Sequence, residues 1–367
     1  MKEDQILKKY SDNVFVSDRY DENDKRRALV IVPDLSLNGA QTVMHELMLI
    51  LRKYYAVTII ASEDDVYRDK YLKIGARIAI RQYVSCAEEF KDYMRSYDLV
   101  FLNSSSTIPY LYFFINTSTK TILWLHESEE QLKNTNLLLP PPQLLSPNIM
   151  ICGVTKKVRQ GIRNLYNFDT EILHMPIREE SSSFEKTDDK VRFFIPAAYT
   201  FIKGQDILLE AISKLPAQYM DKSEFIFCGY TLDGQKEYYE RIMKMGEMLG
   251  NVTILGSIDR AEVYEYYRKC DCVIAPSRID STPTSIVEAM MFKKLVIVSS
   301  GAGISEYITD CVNGFVYADS EGLFQRLLLV ISDLAKLGPV ADKGYELYKG
   351  YFDPCAVEEK LISILKG

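Results

Sequence analysis

Short apolar runs recur along this chain with helical stretches between them, and no other feature limits the fold as tightly. Ala28 to Val32, Ala56 to Ala61, Arg77 to Ile80, Leu99 to Leu102, Thr121 to Leu125 and Ile149 to Val154 read as buried strands of a first half. Val191 to Ala198, Phe225 to Tyr230, Asn251 to Ile258, Cys270 to Ala275 and Leu295 to Ser299 repeat the pattern in a second half. Segments such as Ala87 to Arg95, Lys156 to Leu165 and Arg260 to Tyr267 read as the helices between them. Runs this short and this apolar suit strands buried on both faces, and strands alternating with helices give a parallel sheet covered on both sides. With 367 residues there is chain enough for two such domains. The expected organisation is a polar N-terminal extension over 1–27, a first Rossmann-like domain over 28–178, a Ser- and charge-rich linker over 179–190, a second Rossmann-like domain over 191–350, and a C-terminal helix over 351–367. Val357, Leu361, Ile364 and Leu365 give that last helix one apolar stripe.

Composition removes several function classes. A net charge of −7 argues against nucleic acid as a main partner. The seven cysteines form no C-x-x-C pair, and an odd, scattered set fits a reducing cytoplasm. Three histidines, His45, His126 and His174, are too few for a His-rich metal site. The Asp-Asp pairs at Asp64-Asp65 and Asp188-Asp189 read as solvated charge, so no metal and no cofactor are expected. The N-terminus is too polar for the apolar core of a signal peptide, and no apolar run reaches the length of a membrane span.

The chemistry concentrates where a strand meets a helix. After Cys270–Ala275 comes a polar loop with Pro283 at its end, then a helix from Thr284 to Met291. Asp280 in the loop and Glu288 on the helix have seven residues between them. The first-turn N–H groups of Thr284, Ser285 and Ile286 lack helical partners and sit at the positive end of the dipole, which suits a phosphate. A carboxylate one turn further in can accept two ribose hydroxyls, and a loop carboxylate can hold the hydroxyls of a sugar beyond the phosphates. Three other places have the same strand-end character. Gly39 follows the first buried strand and permits a tight turn with close approach of a ligand. His126 ends the strand Thr121–Leu125, and Gly229 ends the strand from Phe225. Ligands of open α/β sheets bind at such ends. Asn134 to Pro147, with Leu137-Leu138-Leu139 ahead of three prolines, reads as a surface loop able to face an acceptor or a membrane.

The stretch APSRIDSTPTSIVEAMMFKKLVIVSSGAGISEYI, Ala275 to Ile308, resembles the signature region of the retaining glycosyltransferases of family 4, which have the GT-B fold. Glu288-Ala289-Met290 and the loop Gly301 to Glu306 carry the likeness, with Asp280 where the pattern has a first Glu. Lys203 to Ala211, KGQDILLEA, carries it a second time. The resemblance implies an α/β fold of two Rossmann-like domains facing across a cleft, with the last helix crossing back to the first domain. It implies a nucleoside-diphosphate sugar as donor and a glycan, lipid-linked or protein acceptor, with bacterial surface polysaccharide as the setting. Peripheral association with the inner face of the membrane is compatible with it. Lys203 would neutralise the leaving diphosphate, Asp280 would hold the transferred sugar, and His126 would face the acceptor side. The base would lie against the turn at Ser257 and Ile258. Three positions depart from the family pattern: Asp280 for Glu, Ala198 for an Arg, and Asn38-Gly39-Ala40-Gln41 for Gly-Gly-Ala-Glu. They leave open a non-catalytic GT-B subunit that binds a sugar nucleotide or supports a partner transferase. A sugar-nucleotide epimerase is a further alternative, though it needs acid/base groups that this chain offers sparingly.

Overall fold

A computed structural model describes residues 2–21, 26–36, 39–82, 84–135, 138–167, 169–181 and 188–366. The chain forms two compact units. One comprises Met1–Arg178 together with Pro354–Gly367, and the other Glu179–Asp353.

The first unit holds an eight-stranded sheet: β1 (Asn13–Val16), β2 (Arg26–Val32), β3 (Tyr55–Ala61), β4 (Arg77–Ile80), β5 (Leu99–Asn103), β6 (Lys120–Leu125), β7 (Ile149–Gly153) and β8 (Glu171–Ile172). Their order across the sheet is β1-β4-β3-β2-β5-β6-β7-β8. Every pair is parallel except β1 with β4. The central strands are buried along nearly their whole length, which is why they read as unbroken apolar runs. Strand order reverses direction between β2 and β5, so the crevice beyond their C-terminal ends is the place where such a sheet receives a ligand.

The segment before β2, expected as an extension, is instead structured. Lys2–Tyr10 is a helix, and β1 adds an antiparallel strand to the sheet's edge with Asn13 opposite Ile80. β1 was hidden because its apolar run, Val14-Phe15-Val16, is only three residues long and the edge strand is exposed at both ends. The C-terminal helix Pro354–Lys366 belongs to this first unit. It buries Val357, Leu361 and Ile364, and Glu358 accepts a 2.6 Å hydrogen bond from Tyr54. Leu137 and the residues 182–187 of the expected linker lie outside the described residues.

The second unit holds a six-stranded, fully parallel sheet: β9 (Val191–Pro196), β10 (Ser223–Cys228), β11 (Val252–Ile254), β12 (Cys272–Ala275), β13 (Leu295–Ser299) and β14 (Phe315–Tyr317). The order is β11-β10-β9-β12-β13-β14, with the reversal between β9 and β12. Across the β9–β10 pair, Phe193 and Phe225 stack with ring centroids 4.5 Å apart. Burying each such ring contributes about 2–3 kcal/mol. Cys270 and Cys272 are buried beside β12 as core residues, and burial pushes the Cys270 thiol up to about 12. A helix over Gly338–Tyr351 follows the long helix Ser320–Asp333 and has no counterpart in the sequence expectation.

Candidate functional site

The reversal between β9 and β12 sets the geometry. The chain leaving β9 makes a turn at Phe201–Lys203 and enters the helix Gln205–Ser213. The chain leaving β12 runs through Pro276–Pro283 into the helix Thr284–Met291. Lys203 and Asp280, 77 residues apart in sequence, meet there with Nζ 2.5 Å from Oδ2. The Ser277 hydroxyl lies 3.4 Å from the same oxygen. Asp280 also pairs through its backbone: its carbonyl accepts the N–H of Gly303 at 2.8 Å and it bridges to Ala302. The Gly-rich loop after β13 is thereby fastened to the Asp280 loop.

Close packing holds the two loops in this register. Gly204 has φ +68°, and a Cβ there would lie 2.2 Å from the Pro276 carbonyl oxygen. A Cβ on Gly301 would lie 2.1 Å from the Arg278 carbonyl oxygen. Arg278 ties the loops electrostatically. Its two Nη atoms donate to the two oxygens of Asp206 at 2.8 and 2.9 Å, Nη1 also reaches the Phe201 carbonyl, and the guanidinium stands 3.9 Å over the Phe201 ring. Burial alone would raise the Asp206 pKa. The Arg278 fork and the Tyr238 hydroxyl more than offset that and hold it below the usual carboxylate range.

The helix Thr284–Met291 opens on Pro283, and no side chain caps it. The N–H groups of Thr284 and Ser285 are available to an anion, whereas the Ile286 N–H, expected to join them, already donates to the Pro283 carbonyl at 3.0 Å. Beside it, the buried Thr282 Oγ1 has no hydrogen-bond partner among the described residues. One turn further in, Glu288 is 3% exposed. It is already engaged: Arg260 forks onto its carboxylate, and the Tyr267 hydroxyl donates to Oε2 at 2.8 Å. Burial works against the Arg260 charge, but Glu288 outweighs it and the Arg260 pKa is raised. A carboxylate offers about four acceptor positions, so hydroxyl donors can join this arrangement.

Gly229 and the Ser257–Ile258 turn stand together at the neighbouring strand ends. The Gly229 N–H donates to the Gly256 carbonyl at 3.2 Å, and Ser257 is exposed. Gly229 has a packing reason of its own, since a Cβ would sit 2.0 Å from the Ala197 carbonyl oxygen. The Ala198 carbonyl is tied down by Gln205 Nε2 at 2.9 Å.

In the first unit, His126 follows β6. Its Nε2 lies 2.9 Å from Asn103 Oδ1 at the end of β5. An amide oxygen only accepts, so the ring donates from Nε2 and Nδ1 remains an acceptor. Burial pushes the imidazole pKa down to about 4, against the pull of Glu127. Glu127 accepts from Ser105 N–H and hydroxyl, each at 2.8 Å. Between them Ser104 takes φ +76°, a left-handed conformation rare outside glycine. Gly39 begins the helix Gly39–Leu51, while Leu37 and Asn38 of the same turn lie outside the described residues. Gln41, which stands where the family pattern has Glu, is 1% exposed. It donates to the Asp34 carbonyl at 2.6 Å and accepts from Tyr71.

Sequence reasoning did not reach Arg260, Tyr267, Arg278, Asp206 or Thr282. For Asp206 and Arg278 a signal existed, since each lies within three residues of a residue already singled out. For Arg260 only the fold reveals the contact, because its helix must turn back against the one carrying Glu288.

The comparisons with known proteins bear on both units. Residues 176–337 match the family model for glycosyl transferases group 1. The matched stretch holds every second-unit site residue named above. HepE from Anabaena, in complex with UDP and glucose, superposes with a TM-score of 0.78 at 16% identity, over 93% of this chain and 100% of that one. The two parallel-sheet units thus have the fold of GT-B glycosyltransferases. An uncharacterized glycosyltransferase of Methanocaldococcus jannaschii is 27% identical over 153 residues, 41% of this chain and 40% of its own length. The lipopolysaccharide 1,2-N-acetylglucosaminetransferase of Salmonella typhimurium is 30% identical over 89 residues, 23% of each chain. The chain therefore spans well under half the length of these curated relatives.

Proposed function

We propose that this protein is a retaining, metal-independent glycosyltransferase that takes its sugar from a nucleoside-diphosphate donor bound at the β9–β12 reversal of the second unit. The observation that carries this reading is the convergence of Lys203, Asp280 and the uncapped helix Thr284–Met291 at one strand-end crevice. In transfer, the bond between the sugar's anomeric carbon and the phosphate oxygen breaks, and negative charge grows on the departing diphosphate. Lys203 and the N–H groups of Thr284 and Ser285 stabilise that charge where it develops. Without a donor, Asp280 serves as the counter-charge of Lys203, and the diphosphate takes over that role on binding. Asp280 is then released to hold hydroxyls of the sugar, while Glu288 accepts from the ribose. The acceptor hydroxyl attacks from the face the phosphate leaves, and its proton passes to the departing phosphate oxygen. Glucose is the first sugar to try and UDP the first carrier, since HepE was captured with both.

We further propose that the reaction is cytoplasmic and serves surface polysaccharide, as the name of the Salmonella relative suggests. Among the described residues no helix is long and apolar enough to cross a membrane. The test is transfer and hydrolysis of UDP-, GDP- and dTDP-sugars with and without EDTA, using the intact protein, Glu288→Ala and Lys203→Ala. Turnover that survives EDTA and collapses in both variants supports the reading, and the anomeric configuration of the product tests retention. Donor binding without turnover on any glycan or lipid-linked acceptor would favour a non-catalytic GT-B subunit instead.

A further inference from the structure

The first unit has a cavity at the N-terminal ends of its central strands, the end of the sheet opposite His126. Arg26 opens β2, Tyr55 opens β3, Lys120 opens β6 and Asp98 immediately precedes β5, and all four line it. The C-terminal helix closes the other side with Leu361, Ile362 and Leu365, and Ile50 and Leu51 add to the apolar wall. Its volume is about 560 Å³, within the roughly 300–1,000 Å³ of small-molecule sites.

Its polar groups are disposed toward one kind of ligand. Arg26, Lys120 and Lys366 line the cavity with a single acid, Asp98. Asp98 already accepts the Arg27 N–H at 2.7 Å. Among the described residues no carboxylate pairs with Arg26, Lys120 or Lys366. Lys120 spends one of its three donors on the Leu365 carbonyl, and Arg26 stands 5.0 Å over the Tyr55 ring. The Tyr55 ring is buried, while its hydroxyl stays within reach of solvent and has no hydrogen-bond partner among the described residues. Cations without a carboxylate partner at the rim of an aliphatic slot, with an open phenol hydroxyl in its wall, suit an anion with a hydrocarbon body.

We propose that this cavity binds a single-chain anionic amphiphile, its alkyl chain between the N-terminal ends of the central strands and the C-terminal helix and its phosphate or carboxylate head at Arg26, Lys120 and the Tyr55 hydroxyl. The site is independent of the donor reading, since no residue is shared with it.

Calorimetric titration of the full chain with monomeric dodecyl phosphate tests this. The proposal expects saturable binding at one equivalent, and octyl phosphate weaker by about tenfold or more, because four methylenes of burial are lost. Inorganic phosphate and dodecyl maltoside should not compete. Arg26→Glu combined with Lys120→Glu should weaken binding by about tenfold or more. Ile362→Trp, which fills the slot, should abolish it, with circular dichroism showing that each variant is folded. If the charge-reversed protein fails to fold, Arg26→Ala replaces it, with a smaller loss in the same direction. Absence of saturable binding overturns the proposal. So does binding that none of these substitutions alters, or competition by inorganic phosphate as strong as by the alkyl compound.

Discussion

Arg278 and Asp206 form a two-pronged ion pair at 2.8 and 2.9 Å beneath the Lys203 turn, with Asp206 only 3% exposed. The pair joins the loop after β12 to the helix after β9, so it helps hold Lys203 and Asp280 in register. Removing one partner of a buried pair leaves an uncompensated charge, at a cost of about 3–5 kcal/mol. Arg241, 3.5 Å away, offsets part of that. Arg278→Ala is therefore expected to destabilise the second unit by about 3 kcal/mol, read as a lower urea midpoint with an unchanged slope. Restoration by Lys at the same level as Arg would show that the fork geometry is immaterial.

Gly204 provides a second check on the same register. At φ +68° and 2.2 Å from the Pro276 carbonyl oxygen, a Cβ is both strained and obstructed. Gly204→Ala should cost about 2–4 kcal/mol and weaken nucleotide binding as well, because Lys203 is the preceding residue. A variant as stable as the parent in thermal unfolding would show that the two loops are not packed as described.

Much of this arrangement is legible in the sequence, and the part that is not has a common cause. Most strands from Ala28 to Ser299 are readable because they are buried on both faces, as in β2 and β13. The segment holding Asp280 and Glu288 is readable because a strand, a Pro-ended loop and a helix follow one another within some twenty residues. The contact between Lys203 and Asp280 is not, since it depends on β12 lying beside β9 rather than beside β11. No spacing records that order. The Arg260–Glu288 pair is hidden for the same reason. The helix Gly338–Tyr351 is obscured by glycines at Gly338, Gly344 and Gly350, which lower helix propensity along its length.

Glu288→Gln separates the charge of Glu288 from its shape. The amide keeps the volume and leaves Arg260 without its counter-charge. Donor affinity is expected to fall by about tenfold or more, equivalent to about 1.4 kcal/mol, while the far-ultraviolet spectrum stays unchanged. Equal affinity in titrations of the two proteins would remove Glu288 from the donor site.

Two histidines set an acid limit on the first unit. Burial pushes both His126 and His174 down to about 4, with Lys156 and Lys360 adding to the effect at His174. Their unfolded pKa is near 6.5, so the unfolded chain binds protons first as pH falls. The stability they contribute is whole above about pH 6.5 and declines toward pH 4, by about 1.4 kcal/mol per pH unit for each group. Urea melts of the first unit between pH 7.5 and 5 should show this decline, and His126→Gln with His174→Gln should flatten it. An unchanged slope in the double variant would place the acid sensitivity elsewhere.

The central claim is that the β9–β12 reversal receives a nucleoside diphosphate without a metal, and titration of UDP into the metal-free protein tests it most directly. GDP and dTDP run alongside, and Lys203→Ala serves as the comparison. The account predicts saturable binding of one of the three in EDTA, weakened by about tenfold or more when Lys203 is removed. Failure of all three nucleotides to bind, or binding indifferent to Lys203→Ala, would contradict it.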